Sequence, residues 1–204
     1  MRIAFLGDSL TEGWPGAAFF PLLQERFAAH RLLNLGRAGD SVADLLRRVP
    51  RHDPGAVDLA FVWIGVNDAV AVVWDAAGDS AAWSWESRLA GISADYERVL
   101  AWTAERAPRM VCVRPLVLEA EGSVWEAHAD QLGDAFARCA SARPAARTLD
   151  LRPAFAEAAA AGHSPFTVDG VHFTEAGAEV VAASLAREIV AAGGQAAGDG
   201  GREA

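Results

Sequence analysis

The chain has no lysine. All 18 of its cations are arginine, set against 27 Asp and Glu for a formal net charge of −9. No basic run exceeds the pair Arg47-Arg48, so the electrostatic footprint of nucleic-acid binding is missing and no nucleic-acid partner is expected. Cysteine is equally scarce. Cys112 sits in an apolar run and Cys139 in a helical one, a spacing that suits neither a metal site nor a redox pair, and reduced thiols fit both. The histidines form no cluster, so no metal and no cofactor is expected. Long hydrophobic runs are absent too: no charge-free apolar span of about 18 residues occurs. The amino-terminal stretch Ile3 to Leu6 stops at Gly7-Asp8, too short for the apolar region of a signal peptide. A cytoplasmic protein with no membrane span is the expectation.

What remains is ample for a core. The chain has 204 residues, of which 52% are hydrophobic, enough for one domain and too apolar for disorder. Short apolar runs alternate with longer helical patterns, the sign of a parallel sheet covered on both faces. Five runs read as strands: Arg2–Leu6, Arg31–Leu35, Val57–Ile64, Met110–Arg114 and Arg147–Leu151. Between them, the segment Ala18–Ala29 gathers Phe19, Leu22, Leu23 and Phe27 on one face, and a last helix carries Val181, Leu185 and Ile189 at spacing four. Right-handed crossovers then predict an α/β fold, a three-layer α/β/α sandwich of flavodoxin-like type with about five parallel strands. The domain is expected to span residues 1–192, with 193–204 a flexible Gly/Ala-rich tail. Residues 70–87, which carry Trp74, Trp83 and Trp85, read as a loop or short helices between the third strand and its helix.

In such a sheet the loops at the carboxyl ends of the strands build the site. Here the first strand runs into Gly7-Asp8-Ser9-Leu10-Thr11-Glu12-Gly13, the second into Asn34-Leu35-Gly36-Arg37-Ala38-Gly39-Asp40-Ser41, and the third into Gly65-Val66-Asn67-Asp68. Asp169-Gly170-Val171-His172 follows late in the chain. These four blocks, in this order and spread from the amino end to the last helix, resemble the SGNH (GDSL) hydrolase family. The resemblance implies Ser9 as nucleophile, Gly39 and Asn67 as oxyanion donors, His172 as base and Asp169 as its orienting carboxylate. It also implies a small-molecule ester as partner, the family comprising esterases, lipases, thioesterases, carbohydrate deacetylases and occasional acyltransferases.

The residue types fit that chemistry. A serine hydroxyl is a poor nucleophile at neutral pH and needs a base in hydrogen-bond reach, a task suited to imidazole. A carboxylate three residues before the histidine can accept from Nδ1–H, with Gly170 permitting the turn between them. The alkoxide formed on attack needs donors, and the Ser9 N–H, the Gly39 N–H and the Asn67 amide come from three neighbouring loops. The order Ser, Asp, His is shared with α/β-hydrolases, but no Gly-x-Ser-x-Gly elbow occurs.

The tripeptide Gly-Asp-Ser is weak evidence alone, since it recurs at Gly39-Asp40-Ser41 and Gly78-Asp79-Ser80. Only the first copy leaves a strand directly and continues toward a helix. Ser41 reads as an N-cap for a helix over Val42 to Arg48, and Asp8 and Asp68 as caps of turns or helices. His30, His52, His128 and His163 lack a partner carboxylate at the right spacing and read as structural or solvated.

Substrate-contact candidates are Trp14, Arg37, Trp74, Arg114 and Phe173. For the tryptophans, stacking at the cleft competes with packing under a long loop. For the arginines, holding an anionic substrate group competes with pairing to nearby acids. Phe173 stands where the family often has proline after the histidine, and is expected to line an acyl pocket. Three functions remain open at this point: hydrolysis of a carboxylic ester, with short acyl groups such as acetyl favoured because no extended apolar lid is visible; acyl transfer to an alcohol or amine through the same residues; and non-catalytic binding of a phosphate-bearing ligand at the first loop.

Overall fold

A computed structural model describes residues 1–75, 84–118 and 123–195, without the side chains of 71–75. Its sheet has five parallel strands: β1 (Arg2–Gly7), β2 (Arg31–Gly36), β3 (Leu59–Trp63), β4 (Met110–Val113) and β5 (Ala146–Leu149). They lie in the order β2-β1-β3-β4-β5, the flavodoxin-like order. β1, β3 and β4 are almost wholly buried, while the edge strands β2 and β5 are half-buried. That difference explains their sequences, because a parallel strand covered on both faces must be apolar throughout and an edge strand need not be.

Helices α1 (Ser9–Glu12), α2 (Phe20–Arg26), α3 (Val42–Arg48), α4 (Val66–Asp75), α5 (Trp85–Ala104), α6 (Val124–Ser141), α7 (Arg152–Ala160) and α8 (Glu175–Ala191) connect and cover the strands. α2 and α7 pack on α8, whereas α3 and α6 pack on α5 and α4 packs on α6, giving one helical layer on each side. The core is aromatic near its middle. Phe5 and Phe61 are register partners on β1 and β3, and their rings stack 4.7 Å apart. Phe19 and Phe20, at the start of α2, close over Phe5 from above.

The strands begin and end within a residue or two of the expected bounds. The helix expected over Ala18–Ala29 is shorter, and of the stretch 70–87 the described residues 70–75 and 85–87 are helical: α4 runs to Asp75 and α5 opens at Trp85 after the N-cap Ser84. Trp83 lies outside the described residues. So does the expected tail beyond Gln195. The first residues of that tail are tied down, with Gly194 N–H donating to Ile189 O at 2.9 Å and Gln195 N–H to His30 Nε2 at 3.0 Å.

Register is what positions the site. Gly7 pairs with Gly36 across β1 and β2 and with Trp63 across β1 and β3, so three loops leave one edge of the sheet side by side. β2 lies on one flank of β1 and β3 on the other, which makes the carboxyl end of β1 the point where the chain reverses its direction of winding and opens a crevice.

Candidate active site

Ser9 emerges from the end of β1 as the first residue of α1. Asp8 is the N-cap, its Oδ1 accepting from Leu10 N–H at 3.1 Å. The Ser9 hydroxyl is therefore not used for capping, and its Oγ lies 3.0 Å from His172 Nε2. The imidazole Nδ1 is 2.7 Å from Asp169 Oδ2. The other oxygen of Asp169 accepts from the backbone N–H groups of Val171 and His172 at 3.0 and 2.8 Å. Burial pushes the Asp169 carboxyl up, but these N–H groups and the ring outweigh it and hold the carboxyl below its ordinary range.

The loop that carries this pair is fixed at several points. Thr167 and Phe173 form an antiparallel bridge, Val168 N–H donates to His172 O at 2.8 Å, and Leu118 N–H donates to Gly170 O at 2.8 Å. Gly170 has φ 89°, a left-handed turn that suits glycine and folds Asp169 back toward the ring. Ala17 N–H donates to Phe173 O at 2.8 Å, tying the segment after α1 to the histidine loop. Thr174 then caps α8 through its hydroxyl.

The expected oxyanion donors converge on the same edge. Neither the Ser9 N–H nor the Gly39 N–H makes a hydrogen bond among the described residues. Gly39 sits at φ 80° in the turn closed by Asp40 N–H to Arg37 O. Asn67, in the first turn of α4, donates one Nδ2–H to Asp40 O at 2.9 Å. A carbonyl only accepts, so this contact fixes the amide's orientation and leaves the second Nδ2–H free.

Beneath these loops lies a cluster that the sequence did not announce. Asp8, Asp40, Asp68 and Arg48 are all at most 8% exposed. Arg48 Nε donates to Asp40 Oδ2 at 2.6 Å and Nη2 to Gly7 O at 3.1 Å. Asp68 Oδ2 accepts from Val42 N–H at 3.0 Å. Burial, with the charges of Asp68 and Asp40 adding to it, pushes the Asp8 carboxyl up to about 7, and burial pushes Asp68 up to about 6. The available signal was spacing: Val42, Leu45 and Arg48 repeat every three residues along the buried face of α3, so a charged residue occupies a core position.

The substrate-contact candidates fare differently. Trp14 is 69% exposed beside the histidine loop, where Val168, which the sequence did not single out, is 62% exposed. Arg37 is exposed next to Gly39, with only a long 3.9 Å approach to Asp40. Trp74 falls in α4 at a residue whose side chain lies outside the described set. Two expectations are corrected. Arg114 is drawn to α6 and β5, 2.7 Å from Asp134 and 3.8 Å from Asp150, which is the ion-pairing alternative. Phe173 is 2% exposed and packs against Trp63 and Phe155 at ring distances of 5.8 and 5.9 Å; it is a core residue and not a pocket wall. Trp85 stacks on His128 at 3.9 Å and donates to Gln131, so its role is packing.

A doubly wound parallel sheet with a hydroxyl, an imidazole and a carboxylate in line at its carboxyl edge is the arrangement of hydrolases that work through an activated side-chain nucleophile. The chain belongs to the GDSL-like lipase/acylhydrolase family, whose model matches residues 5–180. It is a carboxylic ester hydrolase, and the non-catalytic reading falls away.

Solved structures share the fold. An α/β-hydrolase enzyme from the metagenome of Lake Arreo, Spain, superposes with a TM-score of 0.76 at 22% identity, covering 94% of each chain. An acetylxylan esterase from Geobacillus stearothermophilus gives 0.69 at 23% identity, over 92% of this chain and 93% of that one. A member of the lipolytic G-D-S-L family from Veillonella parvula gives 0.73 at 15% identity, over 93% and 98%. No curated protein sequence matches the chain. Among the described residues no helix is long and apolar enough to cross a membrane.

Proposed function

We propose that the enzyme hydrolyses carboxylic esters of short acyl groups through an acyl-Ser9 intermediate. The observation that carries the reading is the continuous line from Ser9 Oγ to His172 Nε2 at 3.0 Å and from His172 Nδ1 to Asp169 at 2.7 Å. His172 takes the Ser9 proton as Oγ attacks the ester carbonyl, and Asp169 stabilises the imidazolium and holds the ring in its tautomer. The Ser9 N–H, the Gly39 N–H and the free Asn67 amide hydrogen receive the negative charge that develops on the carbonyl oxygen. The same proton then passes from His172 to the leaving alcohol. In the second half His172 accepts a proton from water, water oxygen bonds to the acyl carbon, and the proton returns to Ser9 Oγ as the acid departs.

The short acyl group rests on the sequence, in which no extended apolar lid is visible; Phe173, packed in the core between Trp63 and Phe155, does not bear on it. A relative of the same fold is by name an acetylxylan esterase, which makes acetyl esters the first substrates to test. Water is the acceptor in this reading, and no observation favours acyl transfer.

The test is reaction with a fluorophosphonate, mapping of the modified residue, and turnover of aryl esters of increasing acyl length by the wild type and Ser9→Ala. Labelling at Ser9, loss of turnover in the variant and a preference for acetyl over longer chains are expected. Labelling at Ser41, or undiminished turnover by Ser9→Ala, refutes the assignment.

A further inference from the structure

The geometry points to Arg48 as a positioning residue for the oxyanion donors, and we propose that it holds the three donor loops in register from beneath. The inference rests on the oxyanion site proposed above. Each loop supplies one donor, and each leaves a different strand, so their mutual placement needs a common reference below the crevice. Arg48, in the last turn of α3, reaches two of them directly. Its Nε donates to Asp40 Oδ2 at 2.6 Å in the loop after β2, and its Nη2 donates to Gly7 O at 3.1 Å at the end of β1, where the first loop starts. The third loop is reached through one residue, because the carbonyl of the same Asp40 accepts from Asn67 Nδ2 at 2.9 Å.

The chemistry of the guanidinium suits this task. Its donors sit in a rigid planar fork, so one group fixes two acceptors at a set separation, which an ammonium on a flexible stem does not do. Both partners in the ion pair are nearly inaccessible, with side-chain exposures of 9% and 7%. A buried pair of this kind offsets its attraction against desolvation and is poor evidence for stability alone. Its effect here is geometric. Asp40 follows the donor Gly39 directly, and its three contacts fix that peptide from different sides: the carboxylate to Arg48, the carbonyl to Asn67, and the N–H to Arg37 O at 3.2 Å. Gly7 O also accepts from Arg37 N–H at 3.1 Å, so a single carbonyl joins the first loop both to the second and to Arg48.

Donors displaced by about 1 Å lose most of their advantage in the transition state while ground-state binding is little affected. Arg48→Met, of similar length and uncharged, is therefore expected to lower kcat for an aryl acetate about 10- to 100-fold, with KM changed less than about threefold. Arg48→Lys falls between it and the wild type. Sites competent for fluorophosphonate are titrated first, so that kcat refers to folded enzyme. The decisive measurement is the double variant Arg48→Met with Asn67→Ala. If Arg48 acts through the oxyanion donors, the combined loss is below the product of the two single losses, because the share of the Arg48 effect that passes through Asn67 disappears with that donor.

Single effects that multiply, or a loss borne by KM, overturn the proposal. Should Arg48→Met fail to fold, Asp40→Asn and Arg48→Lys, each combined with Asn67→Ala, give the same readout. Ester turnover that vanishes in Ser9→Ala while the Arg48 and Asn67 losses multiply refutes this inference alone. Turnover that survives Ser9→Ala refutes the proposed function itself.

Discussion

Replacing Asp8 by Asn is expected to stabilise the protein increasingly as pH rises from about 4 to 7 and to do little below about pH 4. Asp8 is 1% exposed, and its Oδ1 accepts the capping hydrogen bond from Leu10 N–H at 3.1 Å. Its Oδ2 makes no hydrogen bond among the described residues. Burial first, and then the nearby Asp68 and Asp40 charges, raise its carboxyl from the ordinary 3.8 to about 7. In that window the unfolded chain has released a proton that the folded chain retains, so stability falls as pH rises from 3.8 to about 7. Below the window the group costs nothing, and above it the cost is complete, at about 4 kcal/mol for a change of that size. Asparagine keeps the capping oxygen and replaces the unpartnered one with a neutral amide. Urea unfolding at pH 5, 7 and 8.5 should give the variant an advantage of about 1–2 kcal/mol at the first pH, rising to about 4 kcal/mol at the last. A difference between the two proteins that is the same at pH 5 and 8.5 would mean that Asp8 is ionised throughout and that the argument from burial is wrong.

Asn67→Ala should lower kcat about 100- to 1,000-fold with a much smaller change in KM, since its free N–H meets substrate oxygen fully only in the transition state; steady-state kinetics on an aryl acetate reads both. Ser41→Ala, which removes the hydroxyl that caps α3, should cost about 1 kcal/mol in denaturant unfolding and leave kcat per folded molecule within about threefold of wild type. Phe173→Ala should lose about 3–5 kcal/mol of stability in the same assay, as expected for deleting a buried ring.

The strands were legible because central strands in a covered parallel sheet are continuous apolar runs, and β1, β3 and β4 are nearly all buried. The candidate site was legible for a related reason: the residues that face the crevice sit in short blocks directly after those runs. What sequence misread depends on direction, which one-dimensional adjacency does not carry. Phe173 follows His172, but the pair lies on the extended bridge to Thr167, where successive side chains point to opposite sides. As the imidazole turns toward Ser9, the phenyl ring is sent into the core. Arg114 follows β4 at the reactive edge, yet it lies over Gly133, where a side chain on α6 would collide with its guanidinium at 2.8 Å, and Asp134 of α6 and Asp150 after β5 capture it. Arg48 enters the sequence only as half of the longest basic run, although its spacing from Val42 and Leu45 places it on the buried face.

The two described copies of Gly-Asp-Ser show how little the tripeptide decides by itself. Both follow the carboxyl end of a strand, and both precede a helix. In the second copy Ser41 is itself the N-cap: its hydroxyl accepts from Asp44 N–H at 3.2 Å, and its backbone N–H donates to Asp44 Oδ2 at 3.1 Å, completing a reciprocal capping box. That oxygen is committed to the helix. In the first copy the helix begins one residue earlier relative to the motif, so Asp8 does the capping and Ser9 becomes the first helical residue. Among the described residues its N–H remains one of the unpaired donors of a helix start, and its hydroxyl has no partner other than the imidazole. A shift of one position in the cap thus separates a serine that stabilises a helix from one that is available to react. It follows that Asp8→Asn, which can still cap, should retain ester turnover, whereas Asp8→Ala, which cannot, should lower it by freeing the Ser9 hydroxyl to take over the cap.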